Sequence, residues 1–199
     1  LKKTNPDAML YGEVWENAAD KMAYGKRRKY LRGQQLDSVM NYPLRTAIIG
    51  YLRDGDADAM RRVCTDIYGS YPPFAVQGLM NFLGTHDTPR ILSILGDPSW
   101  EHCTRGELAQ RRLSNEAHTY AKKLLKLAFL ILFGMPGVPC VFYGDEVGME
   151  GYDDPFNRRP YPWHTRDMEL LKYVTTLGTF RKSEPLLQRG QLRLLYADA

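Results

Sequence analysis

The chain has 199 residues, 44% of them hydrophobic and 25% charged, with a formal net charge of +4. That is long enough for one sizeable core and part of a second domain, and the composition excludes a disordered chain. The charge is too mild for a nucleic-acid-binding surface, and no run of about 18 apolar residues marks a membrane span.

In chain order, residues 8–11 read as a short buried strand built on Met9, Leu10 and Tyr11. Gly12 ends it, and Glu13, Val14 and Trp15 follow. A carboxylate at such a place is costly to bury without a partner. Glu13 is therefore either a surface group just past a strand or an acid set where a strand meets a pocket. The basic run Lys26-Arg27-Arg28-Lys29 reads as a solvated loop or helix face. Residues 39–42 form a second strand candidate, followed by a helical pattern over 44–53. Asp56 is placed to cap another helix through residue 66, which ends near Gly69 and Tyr71-Pro72-Pro73. The stretch Asp54-Gly55-Asp56-Ala57-Asp58 starts like a calcium loop. It lacks Gly at the sixth position and has Thr65 where Glu belongs at the twelfth, so it reads as turn and cap.

Residues 79–83 form the third strand candidate and run into Gly84-Thr85-His86-Asp87. Residues 104–112 read as a charged connection. Asn115 is placed to cap a long helix to Phe133, with Ala117, Ala121, Leu124, Leu125 and Ala128 at spacings of three and four. Gly134-Met135-Pro136-Gly137 breaks it. Residues 138–143 form a fourth strand candidate that ends in Gly144-Asp145-Glu146. A loop rich in Asp, Pro and Arg covers 151–163, and a last helix covers 167–181. After Pro185 the pattern changes, and residues 192–196 read as a strand of a different unit.

Strands separated by helices argue for a parallel α/β sheet, either doubly wound or part of a barrel. Neither G-x-G-x-x-G nor a Walker A motif is present. Cys64, Cys103 and Cys140 are far apart and form no C-x-x-C, which predicts neither a zinc site nor a disulfide framework. Reduced thiols lean towards the cytoplasm.

Glu13, His86, Asp87, Asp145 and Glu146 all follow strand candidates, and parallel α/β folds place their active sites at those C-terminal ends. Two carboxylates, one protonated and one ionised, are the usual equipment for glycoside hydrolysis. Glu13 beside Trp15 suits the acid, because an apolar neighbour favours the uncharged carboxyl. Asp87 beside His86 suits the ionised partner, and Trp15 offers a flat face for a sugar ring. Each has a plainer reading. Glu13 can be a surface carboxylate, Asp87 a helix cap with Pro89 in the first turn, and His86 a structural histidine.

With these residues assembled, the chain resembles the α-amylase family, glycoside hydrolase family 13. Gly12-Glu13-Val14-Trp15 is similar to the fifth-strand motif G-E-x-W, whose Glu is the general acid/base. Residues 82–87 resemble the seventh-strand motif ending in His-Asp, and residues 137–148 the eighth-strand motif G-x-P-x-x-x-Y-G-[DE]-E-x-G. Residues 37–43 and 154–160 are similar to cyclomaltodextrinase, neopullulanase and maltogenic amylase sequences.

The resemblance implies the second half of a TIM (β/α)8 barrel, strands 5 to 8, over residues 1–185. Residues 186–199 would begin a C-terminal β-sandwich. It implies Glu13 and Asp87 as catalytic residues and Trp15, His86, Asp154 and Arg158 as substrate-binding ones, with no metal or organic cofactor. The substrate would be an α-glucan with α-1,4 bonds, and α-1,6 bonds as an option. No nucleic acid or membrane partner is expected, and unpaired barrel edges would favour self-association. Two departures stand out. Glu16 occupies a place where many relatives carry His. The nucleophile motif G-x-R-x-D is absent, so this chain is expected to begin inside a larger protein and to be inactive by itself. Transglycosylation by the same carboxylates, and a non-catalytic role in carbohydrate binding or protein association, are the alternatives.

Overall fold

The structure, a computed structural model, describes residues 1–196. Its strands are β1 (Tyr11–Gly12), β2 (Met22–Ala23), β3 (Lys26–Arg27), β4 (Ser38–Val39), β5 (Met80–Phe82) and β6 (Val138–Cys140). Its α-helices are α1 (Tyr42–Asp54), α2 (Ala57–Ser70), α3 (Pro73–Gln77), α4 (Ile91–Gly96), α5 (Arg105–Gln110), α6 (Asn115–Gly134), α7 (Met168–Ser183) and α8 (Pro185–Arg189).

Four strands lie side by side in chain order. β1 pairs parallel with β4 and β5 parallel with β6, while a parallel bridge between Met40 and Met80 joins β4 to β5. The expected parallel α/β arrangement is therefore present. Its strands are shorter than the apolar runs: β4 and β6 end well before the runs at 39–42 and 138–143 do, and β1 takes only the end of the run at 8–11 together with Gly12. Pro139 sits opposite Asn81 in β6, whose described pairing is on one side only. A residue without an N–H is tolerated at such an edge.

A buried polar seam holds the middle strands in register. Asn41 Nδ2 donates to Asn81 Oδ1 at 2.8 Å, and Asn81 Nδ2 donates to the Pro136 carbonyl at 2.7 Å. Asn41 Oδ1 also accepts from Leu44 N at 3.2 Å, capping α1 with Pro43 in the first turn. The seam thus ties β4 and β5 to the start of the helix that follows β4. Helices pack outside the strands. α6 buries Ala121, Leu124, Leu125 and Ala128, as its spacing predicted, and also Phe129 and Leu132, against a core that includes Leu44, Ile48, Ile91 and Leu92, while Ala117 is only half-buried. At the far end of α6, Arg181 of α7 donates to the carbonyls of Phe133, Met135 and Gly137. That satisfies orphan acceptors where the helix ends.

Several local readings change. Asp56 does cap α2, accepting from Ala59 N at 2.8 Å, and Gly55 takes the left-handed conformation (φ 72°) that closes α1. Ser114, and not Asn115, caps α6 by accepting from Ala117 N. The basic run is largely exposed, as expected, but only Arg28 and Lys29 are loop: Lys26 and Arg27 form the second strand of an antiparallel hairpin with Met22 and Ala23. Residues 104–112 contain α5, opened by a reciprocal capping box between Thr104 and Glu107. Residues 192–196 form no strand. The expected β-sandwich segment also includes residues 197–199, which lie outside the described residues. No helix among the described residues is long and apolar enough to cross a membrane, and Cys64, Cys103 and Cys140 are free.

Candidate functional site

The C-terminal ends of the parallel strands carry two groups of polar side chains. The first begins where β1 ends. Val14 turns inward and is buried, which turns its neighbours Glu13 and Trp15 outward. Glu13 is exposed, and its Oε1 accepts a hydrogen bond from the Tyr42 hydroxyl at 3.2 Å. Trp15 is not a wall beside Glu13. Its ring stacks on Tyr42, with centroids 3.8 Å apart and planes 20° from parallel, and its outer half remains exposed. The indole finds more apolar contact on the Tyr42 ring than beside a carboxylate.

Tyr42 is the residue that the sequence reading missed. It is almost fully buried, stacks under Trp15 and meets Phe82 of β5 edge-on at 4.8 Å. Its hydroxyl also lies near Thr85, two residues before Asp87, and feels the charge of Asp87. Burial, followed by the neighbouring charge of Glu13, pushes its hydroxyl up to about 12. The phenol is therefore a neutral donor at working pH. It joins the Glu13 side to the Asp87 side. The available signal was an aromatic at the first position of a helix directly after a strand.

The second group follows β5. Asp87 does not cap a helix: α4 starts only at Ile91, and its cap position is Arg90, with no side-chain cap bond. Instead, Thr85 and Thr88 close the turn, with Thr88 Oγ1 accepting from Thr85 N at 2.9 Å. The Asp87 carboxylate projects from that turn, partly exposed. His86 Nε2 lies 3.1 Å from Asp87 Oδ2, and an Arg158 guanidinium nitrogen lies 3.4 Å from Asp87 Oδ1. Arg158 Nε is 2.8 Å from Asp154 Oδ1 and 3.0 Å from the His86 carbonyl. His86, Asp87, Asp154 and Arg158, chosen from segments some 70 residues apart, thus form one cluster.

Beneath that cluster lies an ion pair with almost no solvent contact. Arg90 is fully buried, and its guanidinium lies 4.2 Å from the Phe142 ring centre and 4.6 Å from that of Tyr143. It donates to the Tyr143 carbonyl, to Asn157 O at 2.7 Å and to Asp145 Oδ1 at 3.1 Å. Burial pushes the Asp145 carboxyl up to about 6, against the pull of Arg90. A Cβ on Gly84 would come within 2.5 Å of Asp145 Oδ2, so only glycine leaves room for that carboxylate. Asp145, noted at the end of the fourth strand, is therefore placed below the surface cluster and not within it. Among the described residues, no group of three or more His, Cys, Asp or Glu side chains is arranged to hold a metal ion.

Comparison with known proteins follows the same outline. The family described as "Alpha amylase, catalytic domain" matches residues 1–176. Over its full length the chain is 32% identical to an amylopullulanase of Thermoanaerobacter thermohydrosulfuricus, covering 13% of that protein. It is 33% identical to neopullulanase 2 of Thermoactinomyces vulgaris, again over its full length and covering 29% of that protein. The type III pullulan hydrolase from Thermococcus kodakarensis superposes with a TM-score of 0.79 at 29% identity, over 99% of this chain and 31% of that one. The chain thus spans less than a third of the length of these relatives.

Proposed function

Because this chain belongs to the alpha-amylase catalytic-domain family, we propose that it carries the acid/base side of a retaining glycoside hydrolase acting on α-glucans. Its parallel βα units are part of that family's TIM barrel fold. In this reading they are strands 5 to 8, and the bonds cleaved are α-1,4 glucosidic bonds, with α-1,6 bonds as an option.

The observation that carries the reading is Tyr42, whose hydroxyl donates to Glu13 after β1 and lies near Thr85 in the turn that presents Asp87. Glu13 is exposed at a strand end, where it can reach a glycosidic oxygen. It gives its proton to the leaving sugar and later takes one from the attacking water. Asp87, flanked by His86 and Arg158, is acceptor-rich and holds hydroxyls of the sugar that becomes cationic. The exposed face of Trp15 stacks a neighbouring ring, and Asp154 and Arg158 bind beyond it. The two-step route also requires a nucleophilic carboxylate, and no G-x-R-x-D motif lies in these 199 residues.

The test is Glu13→Gln in the full-length protein. Turnover on maltooligosaccharides is expected to fall by about three orders of magnitude or more, with oligosaccharide binding retained. Turnover close to that of the unaltered protein would remove Glu13 from the chemistry.

A further inference from the structure

Asn157 was not among the residues singled out by motif, yet it lies at the junction of the site. It is fully buried. Its Nδ2 donates to the His86 carbonyl at 2.8 Å and to the Thr88 carbonyl at 2.9 Å. Those carbonyls belong to the residues on either side of Asp87. One side-chain amide therefore pins the backbone before and after the carboxylate, and fixes the direction in which it points. Asn157 is itself fixed, because Arg90 Nε donates to its carbonyl at 2.7 Å and the Arg90 backbone N–H donates to Gly151 O at 2.9 Å. Arg90 is in turn held by Asp145 and the Phe142 and Tyr143 rings. The loop that bears Asp154 and Arg158 and the turn that bears Asp87 are thereby locked to one another from below.

We propose that Asn157 is the positioning residue for Asp87, setting the carboxylate's orientation through the two flanking carbonyls without touching substrate. The inference rests on the reading of Asp87 as a group that contacts the reacting sugar. Aspartate at 157 would keep the shape but replace the donor with an oxygen facing two carbonyl oxygens. Alanine would leave both carbonyls buried without a donor. Either change frees the turn, so Asp87 spends less time in the productive orientation, which affects the transition state more than the bound substrate.

The experiment is a double-mutant cycle in the full-length protein, with kcat per folded enzyme and KM measured on maltotriose. Asn157→Ala alone is expected to lower kcat about 30-fold or more, with KM within about threefold. In an Asp87→Asn background the same substitution is expected to change kcat by less than about twofold, because the group it positions is already gone. Multiplying effects in the two backgrounds, or an unchanged kcat in Asn157→Ala, would overturn the proposal. Should Asn157→Ala fail to fold, the isosteric Asn157→Asp is read the same way. Loss of folding in both makes Asn157 a structural residue and also overturns it. A turnover unaffected by Asp87→Asn would be a different failure, refuting the role given to Asp87 and removing the object of the positioning.

Discussion

The two sides of the site are built differently. Asp87 projects from a turn whose flanking carbonyls are held by a buried amide, above a buried Arg90–Asp145 pair clamped by two aromatic rings. Glu13 is exposed and is tied down by one hydrogen bond from Tyr42. The difference follows from what each side chain must do. A group that stabilises charge at a fixed place gains from preorganisation, because its dipoles need not rearrange as the charge develops. A group that moves a proton first to a leaving oxygen and then from water gains from some freedom. The foundation of buried charge belongs to the first task and is absent from the second.

The largest expected effect comes from breaking that foundation. Arg90→Met keeps length and apolar contact with Phe142 and Tyr143, but it leaves Asp145 buried without its cation. Removing one partner of a buried pair costs about 3–5 kcal/mol. Denaturant unfolding should show a loss of that size, and turnover should fall with it. A loss under about 1 kcal/mol would mean that the Asp87 side owes its order to the surface contacts alone.

The same pair gives a pH signature. The Asp145 carboxyl is raised to about 6 in the folded chain against 3.8 as its ordinary value. Between those values the folded state holds the proton and the unfolded state has lost it. Stability from this group therefore falls as pH rises from about 4 to 6 and is level above that range. Asp145→Asn cannot titrate, so unfolding free energies of the two proteins measured across that range should differ in slope. Parallel curves would show that Asp145 stays ionised throughout, with Arg90 outweighing burial.

This contrast sets what was legible in the chain. Strand ends were found because apolar runs stopped at Glu13, at His86-Asp87 and at Asp145-Glu146, a pattern local to each segment. The cluster of His86, Asp87, Asp154 and Arg158 followed from motif resemblance, and the fold brings those four together. Tyr42 and Asn157 were passed over because their importance lies in partners 29 and about 70 residues away, which no local spacing encodes. The apolar shelter expected for Glu13 from Trp15 is missing for a similar reason: Trp15 had a better partner in Tyr42 than in its own neighbour. The capping box at Thr104 and Glu107 was in plain view as T-x-x-E but was masked by a charged surrounding. The run at residues 192–196 looked like a strand by composition, yet no described strand pairs with it, and a strand without a partner does not form.

Tyr42→Phe probes the lighter side. The ring stays, so the stack with Trp15 and the edge contact with Phe82 persist, and only the hydroxyl is lost. That hydroxyl is the donor to Glu13 and the contact to Thr85. Because Glu13 is exposed, water can replace the lost donor, and the stability change should stay within about 0.5–1.5 kcal/mol. Turnover in the full-length protein should drop about tenfold or less, since the carboxylate keeps its place and loses only one restraint. KM should be nearly unchanged, because the aromatic face is intact. A drop of about a thousandfold, matching Glu13→Gln, would show that the acid is held as firmly as Asp87. The asymmetry between the two sides would then lie in burial alone and not in function.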